Sequence, residues 1–144
     1  MKLKQLLSGA VLALVGGVAA AGAYRPFPLT IDFDGKVAMG DMYSARLSDN
    51  KNAFIGCGIR SPAAGVTFAF CQANLGPLPD DDSAPERVVC FTEDPSKIAT
   101  IGAMDDFSYV SFSWDDSGEC TSVANSTQSF YLPEFFKTDK NKER

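Results

Sequence analysis

The sequence of 144 residues contains no histidine, so the commonest general base and a common metal ligand are missing. Without histidine the chain cannot form a Ser-His-Asp or a Cys-His nucleophilic site. It also has no C-x-x-C pair, which argues against a zinc site, and no glycine-rich loop of the kind that cradles phosphates. Among the common catalytic groups, carboxylates remain.

Basic residues are also scarce, with 13 lysines and arginines against 18 acidic residues. Six of those cations lie near the ends of the chain, two in residues 1–23 and four in residues 137–144. Residues 24–136 are left with seven cations and 16 acids, a net charge of −9. Nucleic acids and anionic membranes are bound through a basic footprint, so we expect neither as a partner.

Long apolar runs are limited to the beginning of the chain, where Lys2 and Lys4 precede an uncharged stretch over residues 6–21. This layout predicts a signal peptide over residues 1–23, cut after Ala23, with a cut after Ala21 as the alternative. The run is rich in alanine and glycine and is shorter than the ~20 strongly apolar residues of a spanning helix. We therefore expect a secreted protein, periplasmic or extracellular, with no membrane span in the mature chain.

After the signal peptide, residues 24–136 have the length of a single domain, which we predict to be rich in β-structure. Residues 137–144 contain no apolar side chain and are predicted to be a disordered, charged tail.

The clearest structural signal in that domain is the stretch over residues 107–123, which predicts a β-hairpin. Val110, Phe112 and Trp114 alternate with polar side chains, the period of two in which one face of a strand is apolar. The next four residues, Asp-Asp-Ser-Gly, favour a tight turn. We expect Trp114 to be buried on the apolar face, next to the strand that carries Cys120.

The rest of the domain also reads as strands and turns. Strands are predicted over residues 29–33, 37–47, 53–60, 66–72, 87–92 and 128–132. The second and third of these are predicted to pair as a hairpin, with Gly40 as a bulge, and the strand over residues 66–72 is predicted to be central and covered on both faces. Asp94-Pro95 predicts the start of one short helix that ends near Met104. The fold class is mainly β, an antiparallel meander of about seven strands in a curled sheet or two-layer sandwich, with one short helix before the last hairpin.

Four cysteines, Cys57, Cys71, Cys90 and Cys120, are exported with this domain if it is secreted. An even count in an oxidising compartment predicts two disulfides, for which three pairings are possible. The pairing of neighbours along the chain, Cys57 with Cys71 and Cys90 with Cys120, is favoured because it needs only adjacent strands.

Carboxylates provide the candidates for catalysis and for cation binding. Paired acids hydrolyse glycosides when they face each other across the bond, and three pairs are available: Asp32 with Asp34, Asp105 with Asp106, and Asp115 with Asp116. Each pair falls at a turn or strand end, where solvated aspartate is expected. Asp80, Asp81 and Asp82, in a long loop over residues 74–86, are a possible weak calcium site, but no other metal and no cofactor is predicted.

Aromatic and amide side chains provide two further candidates. Trp114, Tyr109 and Tyr131 form either a carbohydrate platform or, as we favour, part of the core. Asn125-Ser126-Thr127 matches the acceptor pattern for glycosylation.

A spaced set of motifs runs through the domain. It comprises IGC at residues 55–57, Cys71, Cys90 followed by Asp94-Pro95, FSWDDSGEC at residues 112–120, and Tyr131-Leu132-Pro133. This set resembles a loose group of small secreted bacterial proteins, mostly uncharacterised, with IGC and F-x-W-D-x-x-G-x-C hairpins. The resemblance implies export and paired hairpins, and it implies no activity.

These observations predict a secreted, disulfide-stabilised β-domain with a binding or structural role and an unknown protein or carbohydrate as partner. One alternative is a carboxylate-dependent hydrolase of extracellular polysaccharide. A second alternative is a small protease inhibitor that uses the loop over residues 74–86 as its inserted segment.

Overall fold

The computed structural model of the protein describes residues 22–76 and 87–132. Its elements are β1 (Thr30–Asp32), β2 (Val37–Asp41), α1 (Met42–Arg46), β3 (Phe54–Ala63), β4 (Val66–Asn74), β5 (Arg87–Thr92), α2 (Pro95–Gly102), β6 (Tyr109–Trp114), β7 (Cys120–Ser126) and a 3-10 helix, η1 (Ser129–Tyr131). Nearly all of the predicted signal peptide and the whole predicted tail lie outside the described residues. Within residues 22–76 and 87–132, no helix is long and apolar enough to cross a membrane.

The seven strands form two antiparallel sheets, in the orders β1-β2-β6-β7 and β3-β4-β5. This arrangement confirms the prediction of a mainly β, antiparallel fold. The predicted hairpin between residues 37–47 and 53–60 is wrong, because β2 pairs with β1 and β6 while β3 pairs with β4. The short helix α1 separates β2 from β3 and leads the chain out of the first sheet.

The two disulfides have different positions in this arrangement. Cys57 and Cys71 are directly opposite each other on β3 and β4, so their disulfide lies within one sheet. Cys90 on β5 is bonded to Cys120 on β7, so this disulfide joins the two sheets. Next to it the Phe91 N–H donates to the Gly118 carbonyl at 2.9 Å. The connectivity is the one that the sequence favours, and it ties one edge of each sheet to the other.

The hairpin predicted over residues 107–123 is formed by β6 and β7. Its turn is held by Asp115, whose carboxylate accepts from the N–H groups of Ser117 at 2.9 Å and Glu119 at 3.0 Å. Gly118 takes a φ of 82°, which glycine adopts without a steric penalty. The sequence therefore predicts both the strands and the turn correctly.

The sequence predicts a single strand over residues 37–47, and this prediction is wrong beyond Asp41. Asp41 is buried, and one carboxylate oxygen caps helix α1 by accepting from the Ser44 N–H at 2.6 Å. The other oxygen accepts from the Phe27 N–H, also at 2.6 Å. The chain turns into a helix at this point because the Asp41 carboxylate accepts from the Ser44 N–H, one of the N–H groups that have no partner in the first turn of a helix.

Gly40 forms no bulge, since the register of β2 with β6 is regular through this residue. Its role is to allow a close approach: a Cβ at this position would lie 2.8 Å from the Cα of Leu29. The extended segment before β1 therefore passes directly over Gly40.

Helix α2 begins where Asp94-Pro95 predicts it. The Asp94 carboxylate accepts from the N–H of Ser96 at 2.7 Å, and Pro95 occupies the first turn. Ile101 is buried, and the helix contacts β3, β4 and β7. It therefore packs against strands of both sheets and covers the inner side of β3 and β4.

The last predicted strand, over residues 128–132, is wrong, because the chain forms the 3-10 helix η1 there. Tyr131 is buried, and its ring packs edge-on against Phe27 at 5.9 Å and stacks on Tyr109 at 6.0 Å. Phe130 accepts a hydrogen bond from the Arg25 N–H at 3.1 Å. These contacts with the beginning of the domain favour a compact turn over a strand.

Trp114 lies on the predicted face of β6 but is less buried than expected. Val110 and Phe112 are fully buried in the core, whereas Trp114 is half-buried. Its indole ring packs against Phe112 on one side and edge-on against the exposed Phe33, at 6.1 Å, on the other. The indole is a packing residue at the margin of the core, since its strand ends there.

Candidate functional site

The outward side of the β3-β4-β5 sheet is the leading candidate for a binding surface. We call it the outer face, and it carries Phe54, Gly56, Gly58 and Arg60 from β3, Val66, Phe68, Phe70 and Gln72 from β4, and Arg87, Val89 and Phe91 from β5. Successive side chains of a strand point to opposite sides of the sheet, so these residues share one side. Phe91 is 51% exposed and Val66 is 46% exposed.

The opposite side of the same sheet carries the small residues. Ala69, Cys71 and Ala73 of β4 are fully buried, and they lie beneath α2. β4 is central as predicted, but the prediction that both of its faces are covered is wrong within the described residues. The short side chains allow α2 and the disulfide to approach closely, while Phe68 and Phe70 point outward and are only half-buried.

Three phenylalanine rings form a continuous group on the outer face. The ring of Phe91 lies 6.3 Å from that of Phe68 and 6.4 Å from that of Phe70, measured between centroids. The Phe70 ring leans over Gly58, where a Cβ would come within 2.9 Å of it. Space above Gly56 is open, with no atom within 4 Å of where a Cβ would be. The surface is therefore an aromatic ridge beside a shallow depression.

Two arginines flank these rings. The guanidinium of Arg60 lies 5.3 Å from the centre of the Phe70 ring, and that of Arg87 lies 5.9 Å from the centre of the Phe54 ring. Such cation–π contacts contribute about 0.5–1 kcal/mol at exposed sites and hold the cation in place. Arg87 also donates to the Gln72 side chain at 3.3 Å. Within the described residues, Arg60 has no hydrogen-bond or ion-pair partner, so its donors are available to a ligand.

The electrostatic character of this sheet differs from that of the whole chain. β3, β4 and β5 contain no aspartate and no glutamate, and their two charged residues are Arg60 and Arg87. The chain as a whole has a net charge of −5. The outer face is therefore a cationic and apolar surface on an acidic protein.

The shape of the outer face suits a broad partner better than an enclosed small molecule. Its groove has a volume of about 260 Å³, and all seven lining residues belong to β3, β4 and β5. Small-molecule sites are enclosed pockets of roughly 300–1,000 Å³ that bury most of the ligand. A shallow groove between exposed rings is instead typical of a surface that another macromolecule covers.

A larger cleft, of about 530 Å³, lies beside Asp105 and Asp106 and extends to Thr127 and Leu132. Both carboxylates are exposed, and they follow each other between α2 and β6. Glycoside hydrolysis needs two carboxyl groups on opposite sides of the scissile bond. Two neighbours at one turn do not by themselves make that arrangement, so the hydrolase stays an alternative prediction.

The other predicted carboxylate pairs have structural contacts at turns. Asp32 accepts from the Gly35 N–H at 2.8 Å, and Asp116 forms an ion pair with Lys36. The Ser117 hydroxyl, with neighbouring N–H groups, lowers the pKa of Asp115 below its usual value. In each pair at least one carboxylate stabilises the backbone or a surface contact.

Asp94 is the second carboxylate with a shifted pKa. A hydrogen bond from the Ser96 hydroxyl, at 2.6 Å, and one from the Ser96 N–H lower its pKa to about 2. The ammonium of Lys97, 3.4 Å away, acts in the same direction. This carboxylate is ionised as a helix cap at neutral pH.

The possible calcium ligands Asp80, Asp81 and Asp82 lie outside the described residues. Residues 22–76 and 87–132 contain no group of three potential metal ligands. The base of the long loop is described at Asn74, a buried side chain that donates to the carbonyls of Asn52 at 2.9 Å and Gly76 at 2.7 Å.

The three aromatic residues for which a carbohydrate platform was the less favoured alternative do not form one surface. Tyr109 and Tyr131 stack on each other, while Trp114 has the opposite orientation on β6 and packs with Phe33 and Phe112. Asn125, the potential glycosylation acceptor, donates its side-chain N–H to the Thr100 carbonyl at 2.6 Å. Its amide therefore connects β7 to α2 in this structure.

Sequence reasoning missed the outer face as a site. The available signal was the alternation in β4, where Phe68 and Phe70 alternate with Ala69, Cys71 and Ala73. Large apolar residues normally mark the buried side of a strand, so this alternation suggests the wrong side unless the cysteines and alanines are taken to face the core.

Comparison of the chain with protein-family models, with curated proteins and with solved structures finds no match.

Proposed function

We propose that this protein is a secreted, disulfide-stabilised β-domain whose function is to bind another protein through the outer face. The observation that carries the proposal is the contiguous group formed by the exposed Phe91 and the half-buried Phe68 and Phe70, on a sheet face that also carries two arginines. Single exposed apolar residues are common, but contiguous apolar patches mark binding sites. Protein interfaces are enriched in aromatic residues and arginine and depleted of acids at their cores, which is the composition of the outer face.

The chemistry of the outer face favours a protein over a carbohydrate as the partner. A sugar presents several hydroxyls, each of which needs a donor or acceptor when it is desolvated. The outer face offers three polar side chains, and two of these, Gln72 and Arg87, already bond to each other. Apolar side chains of a protein partner would satisfy the phenylalanine rings without that requirement.

Export of the domain is part of the proposal, as is membership of the group of secreted bacterial proteins that the motifs resemble. The predicted signal peptide and the two disulfides support export, since such bonds persist in oxidising compartments. The IGC motif lies on β3 and ends at the disulfide cysteine Cys57, and the F-x-W-D-x-x-G-x-C motif runs from β6 to the disulfide cysteine Cys120 at the start of β7.

Site-specific photocrosslinking of the oxidised protein in its native envelope or medium tests the binding role. A photoreactive phenylalanine analogue at Val89, which lines the groove, should give a discrete protein adduct. The same analogue at Ala124, an exposed residue on β7, is the matched control. The proposal is wrong if both positions give the same adducts or if position 89 gives none.

A further inference from the structure

We infer that the partner presents an extended segment to the outer face in which two acidic residues, four positions apart, flank a bulky apolar residue. The inference rests on the proposed binding role and specifies its ligand. Arg60 and Arg87 are the charged groups of the face, and no carboxylate of β3, β4 or β5 neutralises them. A partner that buries this face must supply anionic groups, because an unpaired buried guanidinium is costly.

The spacing follows from the register of the strands. The Arg60 guanidinium lies over the ring of Phe70 on β4. The Arg87 guanidinium lies over the ring of Phe54, and Phe54 is opposite Asn74 on β4. From Phe70 to Asn74 is four residues, or roughly 14 Å at ~3.4 Å per residue. Side chains at positions i and i+4 of an extended partner are the same distance apart and point to the same side.

The side chain at position i+2 of such a segment also points to the same side. It would lie between the two carboxylates, above the row of Gly56, Gln72 and Val89, which are opposite one another on the three strands. The rings of Phe70 and Phe91 form the adjacent row. A bulky apolar residue fits there because the space above Gly56 is open, Val89 is apolar, and the Gln72 side chain already accepts a hydrogen bond from one of the two arginines. The geometry therefore predicts the order acidic, any residue, apolar, any residue, acidic.

A polyanion such as a polyuronate or a single-stranded nucleic acid fits the observations less well. Its charges continue beyond the outer face, where the rest of the chain is acidic and would repel it. Two isolated carboxylates meet both arginines and avoid that repulsion.

The probe for the test is a displayed library of random nine-residue peptides, selected against the oxidised protein. We expect enrichment of Asp or Glu at positions i and i+4 with an aromatic or aliphatic residue at i+2. The variant R60Q/R87Q should lose this enrichment and should bind the selected peptides about tenfold more weakly or worse, since charge-assisted hydrogen bonds are removed. The control R46Q/K51Q removes the same charge from exposed residues elsewhere and should bind normally.

Other outcomes overturn the inference in distinguishable ways. Apolar peptides without acids, or acidic peptides that R60Q/R87Q still binds, refute the acidic pattern while crosslinking at position 89 can still support the binding role. Tighter, Arg60-dependent binding of polyuronate or oligo(dT) at matched ionic strength would replace the peptide by a polyanion. Circular dichroism and urea unfolding of R60Q/R87Q establish that any loss of binding occurs in a folded protein.

Discussion

Removal of each disulfide separately should reveal how the two sheets are held together. The paired substitutions C57A/C71A and C90A/C120A each remove one bond and leave the other. The bonded cysteines are 14 and 30 residues apart in the chain. From the loop-closure entropy of the unfolded chain, C57A/C71A should lower the free energy of unfolding by about 3 kcal/mol and C90A/C120A should lower it by about 3.7 kcal/mol. If loop-closure entropy were the only effect, the free energies of unfolding of the two variants would differ by less than about 1 kcal/mol.

The positions of the bonds in the fold widen this difference. Cys57 and Cys71 belong to strands that are paired along most of their length, so the strand pair persists without the bond. Cys90 and Cys120 are both fully buried, and their bond joins β5 to β7 across the junction of the two sheets. Removal of this bond also leaves a buried cavity. We therefore expect C90A/C120A to be less stable than C57A/C71A. The gap between their free energies of unfolding should be clearly larger than the gap that loop-closure entropy alone gives.

Urea unfolding provides the measurement, with two probes that report on different parts of the protein. Trp114 is the single tryptophan and pairs with Cys120 in the hairpin, so its fluorescence reports on the first sheet. Far-ultraviolet circular dichroism reports on both sheets. Net stabilities of typical domains are ~5–15 kcal/mol, so either loss should lower the midpoint visibly. An unchanged midpoint for C90A/C120A, or a larger loss for C57A/C71A, would refute this reasoning.

Three further predictions concern single side chains. Trp114 is half-buried, so W114A should cost less than the ~3–5 kcal/mol of a fully buried aromatic residue; solvent-like emission of the native protein would contradict its packing. D41A removes the acceptor for two backbone donors and should cost about 1–3 kcal/mol for each donor left without a partner, measured by urea unfolding; D49A, at an exposed turn, is its control. The pKa of Asp94 is lowered to about 2, so its stabilising effect is present above its unfolded pKa of ~3.9 and is lost as the pH falls through 2. The difference in stability between the native protein and D94N should shrink over that interval, and a constant difference would refute the assignment.

The parts of the fold that sequence predicted are those encoded by neighbouring residues. The turn at Asp115–Gly118 and the helix start at Asp94-Pro95 each depend on contacts within about four positions. The bond between Cys57 and Cys71 is of the same kind, because these cysteines flank one tight connection. Local signals of this kind act before any tertiary contact is formed. The bond between Cys90 and Cys120 has the favoured pairing but joins strands of different sheets, so the argument from adjacent strands does not account for it.

The parts that failed depend on residues far apart in the chain. Asp41 ends β2 partly because it binds Phe27, and Tyr131 forms a turn because it packs against Phe27 and Tyr109. The pairing of β2 with β6 joins residues about 70 positions apart. No pattern within either segment specifies these partners. The candidate site was missed for the same reason, since which side of β4 is buried is decided by α2 and not by β4 itself.

The disulfides also explain how the chain can leave three phenylalanines partly or largely exposed without losing its fold. The inner side of the β3-β4-β5 sheet carries Cys57, Cys71 and Cys90, and both bonds stabilise the sheet from that side. A small domain normally needs its largest apolar side chains in the core to offset the entropy of folding. Here, covalent bonds supply part of that stabilisation, and alanine and cysteine fill the narrow space beneath α2. Phe68, Phe70 and Phe91 are thereby free to remain on the surface, where an apolar partner can cover them.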